Sequence, residues 1–152
     1  MKIVSVYILK LWLKEIRVTH WIKSFFCLLP LFINGGIFDL SKWFLLIPLV
    51  FSFSLVSSFG YVLNDVINVK EDRNHPRKRR RPIAHGDISI VHGIIGAGIL
   101  LTLCLLLLLY SYGMGEVSLL VISYIPLSIF YTLVCRSYPF VDVFTLSLGF
   151  VF

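Results

Sequence analysis

The sequence predicts an all-α, polytopic helical membrane protein, and three observations predict it. The 152-residue chain has a mean hydropathy of +0.90. Only 14% of its residues are charged, where soluble domains carry about 25%. Charge is also segregated, because half of all Asp, Glu, Lys and Arg residues fall in one stretch, residues 64–87, NDVINVKEDRNHPRKRRRPIAHGD. The rest is a series of apolar runs, each close to the ~20 residues that a bilayer helix needs, enough for about four to five transmembrane helices. The net charge of +6 lies beside those runs, where basic residues report topology or contact with membrane lipids, so no nucleic-acid partner is implied.

Residues 1–20 read as an interfacial amphipathic helix. Lys10, Lys14 and Arg17 fall at i, i+4 and i+7, Ile8, Trp12 and Ile16 lie roughly opposite, and Glu15 interrupts the apolar face. Lys10 breaks the first apolar stretch and no small-residue cleavage site follows, which argues against a cleaved signal peptide. Residues 21–152 read as one transmembrane domain. Its first span runs from Trp21 to about Phe38, with Pro30 inside and a turn at Asn34-Gly35-Gly36. The second, Trp43–Leu63, would reach roughly 31 Å at 1.5 Å per residue, enough to cross the hydrocarbon core.

After the charged insert, Gly86, Asp87 and Ser89 look like a turn leading into a capped third span, about Ile88–Tyr110. A fourth runs from about Val117 to Cys135 and a fifth from about Val141 to Phe152, short for a span. Cys27, Cys104 and Cys135 sit singly in apolar runs with no CxxC spacing and read as buried small side chains. If the N-terminal segment through Lys23, the 64–87 insert and the turn at Arg136 share one side, every basic residue except Lys42 lies there, and the positive-inside rule makes that side cytoplasmic. The chain is then expected in a bacterial-type inner membrane.

The insert itself reads as a site. If the second span continues as a helix beyond the membrane surface, Asn64, Asn68 and Asp72 fall at i, i+4 and i+8 on one face, with Asp65 about 100° away. Two or three hard oxygen ligands on a helix end suit Mg²⁺, which takes its remaining positions from water and substrate phosphate. Arg73, His75 and the run Arg77 to Arg81 follow at once. Guanidinium forks beside a carboxylate cluster are what a metal-bridged diphosphate requires. Taken singly, Arg77, Arg79 and Arg80 also suit a plain contact with anionic lipid, and that reading describes a non-catalytic membrane protein or a gene remnant.

The string Asn64-Asp65-x-x-Asn68-x-x-x-Asp72 resembles the NDxxDxxxD signature of the UbiA-type intramembrane prenyltransferase superfamily. Its continuation, Arg73-x-His75-Pro76-x-Lys78-x-x-Arg81-Pro82-Ile83-Ala84-x-Gly86, is similar to the polyprenyl-phosphate phosphoribosyltransferase branch. RVTHWIK at Arg17 to Lys23 resembles that branch's RPxQWxKN, Tyr131-Thr132 with Arg136 resembles YSxxLK, and Asp142-Val143 through Gly149-Phe150 resembles DVxxLAxGF.

The resemblance implies transfer of a 5-phosphoribosyl or prenyl group, from phosphoribosyl diphosphate or another diphosphate, involving a polyprenyl phosphate lipid at the cytoplasmic membrane surface. It implies Asp65 and Asp72 as catalytic residues and Asn64, Asn68 and Asp72 as Mg²⁺ ligands. Lys23, Arg73, His75, Lys78, Arg81, Tyr131, Arg136 and Asp142 would bind substrate. An aromatic-acceptor prenyltransferase is the runner-up, disfavoured by the His75-Pro76-x-Lys78-x-x-Arg81-Pro82 run. The chain departs from the pattern at Asn68, where the signature has Asp, at His20 for Gln, at Ser24 for Asn and at Arg136 for Lys. Family members have about nine spans of the kind a ~30 Å core requires, with a second Asp-rich motif in the later half. The chain is therefore expected to be the N-terminal half of such a bundle, with an incomplete site.

Overall fold

The computed structural model of the protein describes residues 2–133, and among these the regular structure is entirely helical. Helix α1 spans Lys2–Glu15. It stops because Arg17 takes a left-handed backbone conformation, φ 54° and ψ 49°, which no other non-glycine residue adopts among those described. A 3-10 stretch, Val18–Leu28, follows, and then a short helix α2, Leu29–Ile33.

The expected span from Trp21 is broken, as its Pro30 implies, but the 3-10 winding begins already at Val18. Pro30 has no amide to donate and its ring crowds the carbonyl of Phe26 four residues back, so the approach to it winds as a 3-10 turn instead. α1 and the Val18–Ile33 stretch meet at a bend of 51° and together are apolar enough to form one broken span. Gly35, at φ 65°, makes the expected turn.

α3, Leu40–Ile67, is the central element. Asp39 caps it by accepting a hydrogen bond from the Ser41 amide at 3.1 Å. Its 28 residues make it roughly 42 Å long, so it exceeds a ~30 Å hydrocarbon core by about two turns. The expected second span lies wholly inside it, and its surplus end carries Asn64 and Asp65. Buried serines at 52, 54 and 58 keep its surface thin enough for close packing.

A loop assembly follows. Asn68 ends α3, and α4, Val69–Asn74, starts at the next residue. The bonds from the Asn68 amide to the Asn64 carbonyl, 3.0 Å, and from the Asp72 amide to the Asn68 carbonyl, 2.9 Å, carry helical register through the junction. A 3-10 turn at Lys78–Arg80 leads to α5, Pro82–His85, with Pro at its first position and Gly86 at φ 99° after it. Ile83 and Ala84 are buried, so the insert folds back under the protein rather than hanging in solvent.

α6, Ile90–Tyr112, starts where Ser89 accepts a bond from the His92 amide, the cap expected of it. It is the main partner of α3: Val56, Phe59 and Val62 pack with Ala97, Leu100, Cys104 and Leu108. α7, Glu116–Leu133, adds Val121 to the same core. Among the described residues, α3 and α6 are each long and apolar enough to cross a membrane alone, and α7 is apolar but shorter. The expected fifth run lies outside the described residues.

α1 lies across this bundle at the end that holds the charged insert. The ring of Trp12 rests against Gly96 of α6, where a Cβ would collide with it. Leu11, Trp12 and Ile16 join the apolar cluster, so two of the three residues of the expected apolar face are packed, whereas Ile8 is exposed.

Candidate functional site

The end of α3 exposes a polar turn because the run of apolar residues stops at Leu63 while the helix continues to Ile67. That geometry carries Asp65 inward, where its side chain is 3% exposed. Asp72, one junction later on α4, is fully buried. Arg81, the residue before α5, reaches both: its Nη1 stands 2.8 Å from Asp65 Oδ1 and 2.6 Å from Asp72 Oδ2. Arg17 approaches Asp65 from the other side and its Nη2 donates to both carboxylate oxygens, at 2.9 and 3.0 Å. Its guanidinium also lies over the Tyr61 ring, 4.4 Å from the centroid, a cation–π contact that fixes its plane.

Around this core the remaining polar groups are ordered. Asn64 donates to Asp65 Oδ1 at 3.2 Å. Asn68 donates through Nδ2 to the Asn64 carbonyl at 2.8 Å and to Asn64 Oδ1 at 3.1 Å. Glu15, at the end of α1, is 1% exposed and neither carboxyl oxygen makes a hydrogen bond of good geometry. The Ile83 amide reaches it as a weak contact only, and Asp65, Arg17 and Arg81 are all within its electrostatic reach.

Of the residues singled out in the sequence, Asp65, Asp72 and Arg81 meet in this cluster, with Asn64 against it and Asn68 against Asn64. Arg73, His75 and Lys78 shape the loop. Arg73 Nε donates to the Ala84 carbonyl at 3.1 Å, and His75 Nδ1 accepts from the amides of Arg77 and Lys78 at 3.2 and 3.3 Å. Arg73 and His75 are exposed and Lys78 is half-buried. Lys23 is exposed on the 3-10 stretch, and Tyr131 lies on α7. Arg136 and Asp142 lie outside the described residues.

Two members of the cluster were not singled out as site residues, Arg17 and Glu15. The signal for Arg17 was present, since it opens the RVTHWIK segment; Glu15 gave only a break in an apolar face. Lys14, next to it, donates to the Arg80 carbonyl at 2.9 Å and pins α1 to the basic loop.

Chemically this is a partly buried group of carboxylates bridged by guanidiniums. The oxygens of Asp65, Asp72 and Asn64 are of the hard type that Mg²⁺ selects. Among the described residues no group of three or more His, Cys, Asp and Glu side chains forms a metal cage, so amide oxygens would have to complete any ligand set.

The model of the UbiA prenyltransferase family matches residues 24–152. The chain is 34% identical over 132 residues to the nodulation protein NoeC of Azorhizobium caulinodans, covering 86% of this chain and 42% of that protein. It is 30% identical over 144 residues to the decaprenyl-phosphate phosphoribosyltransferase of Corynebacterium glutamicum, covering 91% and 42%. Over 77 residues it is 39% identical to the mitochondrial 4-hydroxybenzoate polyprenyltransferase of Rattus norvegicus, covering 48% and 21%. The chain thus spans less than half the length of these curated relatives. No solved structure matches it.

Proposed function

The chain belongs to the UbiA prenyltransferase family and is an integral membrane protein, and from that premise we propose that its charged cluster binds a metal-bound diphosphate for group transfer to or from a polyprenyl phosphate. The transferred group is 5-phosphoribosyl, from phosphoribosyl diphosphate. The single observation that carries this is the bridge from Asp65 through Arg81 to Asp72, sited where α3 outruns the membrane core. Carboxylates buried on a helix end with guanidinium forks between them are a functional arrangement by default, because each group is costly to bury alone.

In this reading Asp65, Asp72, Asn64 and Asn68 supply oxygens to Mg²⁺, which when bound offsets the charge of a leaving diphosphate. The fit is chemical rather than complete: Asn68 turns its amide nitrogen to Asn64, and its carbonyl oxygen serves only after the side chain turns over. Before any cation binds, Arg81 and Arg17 hold the carboxylates in place. Arg73 and Lys78 meet phosphate oxygens, while His75 sets the loop that presents them. Residues 21–152 form the transmembrane domain, residues 1–20 lie along the cytoplasmic headgroups of the inner membrane, and the polyprenyl chain runs between helices in the bilayer.

A second reading has its own observation. Arg77, Arg79 and Arg80 are exposed side by side and α1 is tied to them through Lys14, which suits a surface resting on anionic lipid with no catalysis. Binding of phosphoribosyl diphosphate in detergent separates the two. Changing Arg73 and Lys78 to Gln should abolish it, and changing Arg79 and Arg80 to Gln should leave it nearly intact. Equal losses in both pairs, matched by equal losses of binding to anionic vesicles, would leave only the lipid surface.

A further inference from the structure

The positive charge between Asp65 and Asp72 is supplied by the protein itself. Arg81 Nη1 touches one oxygen of each carboxylate, and Arg17 engages both oxygens of Asp65, so three of the four carboxylate oxygens face guanidinium nitrogens at 2.6–3.0 Å. A divalent cation shared by Asp65 Oδ1 and Asp72 Oδ2 would need the space between them that the Arg81 guanidinium fills, while Arg17 keeps its hold on Asp65. Arg81 is the more movable of the two. Its backbone is anchored, with its amide on the Lys78 carbonyl at 2.9 Å and its carbonyl accepting from the His85 amide at 2.8 Å, while a quarter of its side chain is exposed. Arg17 instead is locked at a strained φ and stacked on Tyr61. Glu15 adds a second, independent observation: a third buried carboxyl, with no well-formed hydrogen bond, within reach of the same charges.

We propose that Arg81 is a built-in counter-ion that a divalent cation displaces, so that metal loading turns its guanidinium outward from Asp65 and Asp72. This rests on the metal-diphosphate reading and adds to it an order of events: Arg81 becomes a phosphate ligand only after the cation has taken its carboxylates. One residue thereby links metal occupancy to anion binding.

The test uses Mn²⁺ as probe, with binding followed by electron paramagnetic resonance on the full chain in detergent. Arg81→Gln should bind Mn²⁺ at least about tenfold more tightly than wild type, the order by which one unit charge within 4–6 Å shifts a neighbouring ionic equilibrium. Arg79→Gln, which removes the same charge from the exposed rim, should bind as wild type does. Asp72→Asn should abolish binding. Equal or weaker binding in Arg81→Gln, with wild-type binding still sensitive to Asp72→Asn, overturns the displacement and leaves the metal site standing. If wild type and Arg81→Gln both show no Asp72-dependent binding, the metal reading fails and the displacement with it.

A measurement on wild type alone guards against a variant that does not fold. Arginine modification by phenylglyoxal, read peptide by peptide, should speed up several-fold at Arg81 on adding Mn²⁺ and stay constant at Arg79. An unchanged Arg81 rate with Mn²⁺ bound overturns the proposal.

Discussion

Arg17 donates to both oxygens of Asp65 at 2.9 and 3.0 Å, joining the second residue after α1 to the last turn of α3 across 48 positions of sequence. The pair closes one side of the cluster, and its removal should be felt as stability. Asp65 is nearly fully buried, so Asp65→Ala strands two guanidiniums; truncating one partner of a fully buried pair costs roughly 3–5 kcal/mol, and less here because both arginines keep some water contact. Asp39, paired with Lys42 at 3.7 Å on the exposed surface, is the control, and Asp39→Ala should change little beyond the loss of a helix cap worth about 1 kcal/mol. Thermal unfolding in detergent reads both. Equal effects would mean that the Asp65 pair is as solvated as the Asp39 one.

Gly96 and Gly98 sit two residues apart on α6 and should respond oppositely to Ala. At Gly96 the new methyl meets the Trp12 ring and pushes α1 off the bundle, whereas at Gly98 nothing lies within 4 Å. Gly98→Ala should therefore leave stability unchanged or raise it by up to about 1 kcal/mol from helix propensity alone. Gly96→Ala should lower it and make the α1 segment more accessible to trypsin at Lys14. A Gly96→Ala protein as protease-resistant as wild type would show that α1 does not rest on α6.

Asn68→Asp bears on the one departure from the acidic signature. Asn68 donates two hydrogen bonds to Asn64, and a carboxylate there faces two oxygens instead, so the variant should lose about 1–3 kcal/mol without metal. Under the metal reading Mn²⁺ should then stabilise it more than it stabilises wild type, since ligand-linked stabilisation grows with affinity. Melting temperatures with and without Mn²⁺ decide it: loss without a larger metal response would make Asn68 a helix-end clasp and nothing more.

Orientation is open to direct labelling. With the three native cysteines replaced, a single cysteine at Asn74 and one at Lys42 should react with an impermeant maleimide from opposite faces of sealed inverted vesicles, because α3 separates the two positions. Reaction from the same face would remove α3 as a span.

Much of the helical skeleton was legible in the sequence. The expected third span, Ile88–Tyr110, is displaced by two residues from α6, and Ser89 is its cap as read, because a long uncharged run and a local capping bond are both properties of neighbouring residues. The i, i+4 spacing of Asn64, Asn68 and Asp72 survives the break at Asn68 for the same reason. Residues 18–28 were not legible: an apolar run has the same composition as a 3-10 turn or an α-helix, and only the crowding before Pro30 distinguishes them. The partners of Asp65 were not legible either. Arg17 and Arg81 reach it from 48 and 16 residues away, on elements whose mutual placement comes from packing Trp12 on Gly96 and Ile83 beneath α1. Sequence spacing pointed to oxygens free for a metal; the tertiary fold brings guanidiniums to those oxygens.

The contacts that hold α1 also fix when it can be held. Its carboxyl end is fastened to Ser58 through the Ile16 carbonyl, to Asp65, to the Arg80 carbonyl and to Gly96, all of them later in the chain. This segment is therefore seated only after the later elements that receive it have been made. At about 5–20 residues per second, roughly 80 residues of further synthesis separate its appearance from that of Gly96, an interval of about 4–16 s. Until Asp65 and Gly96 have been made, Arg17 lacks its carboxylate and Trp12 its seat, so α1 must wait for the helices that receive it.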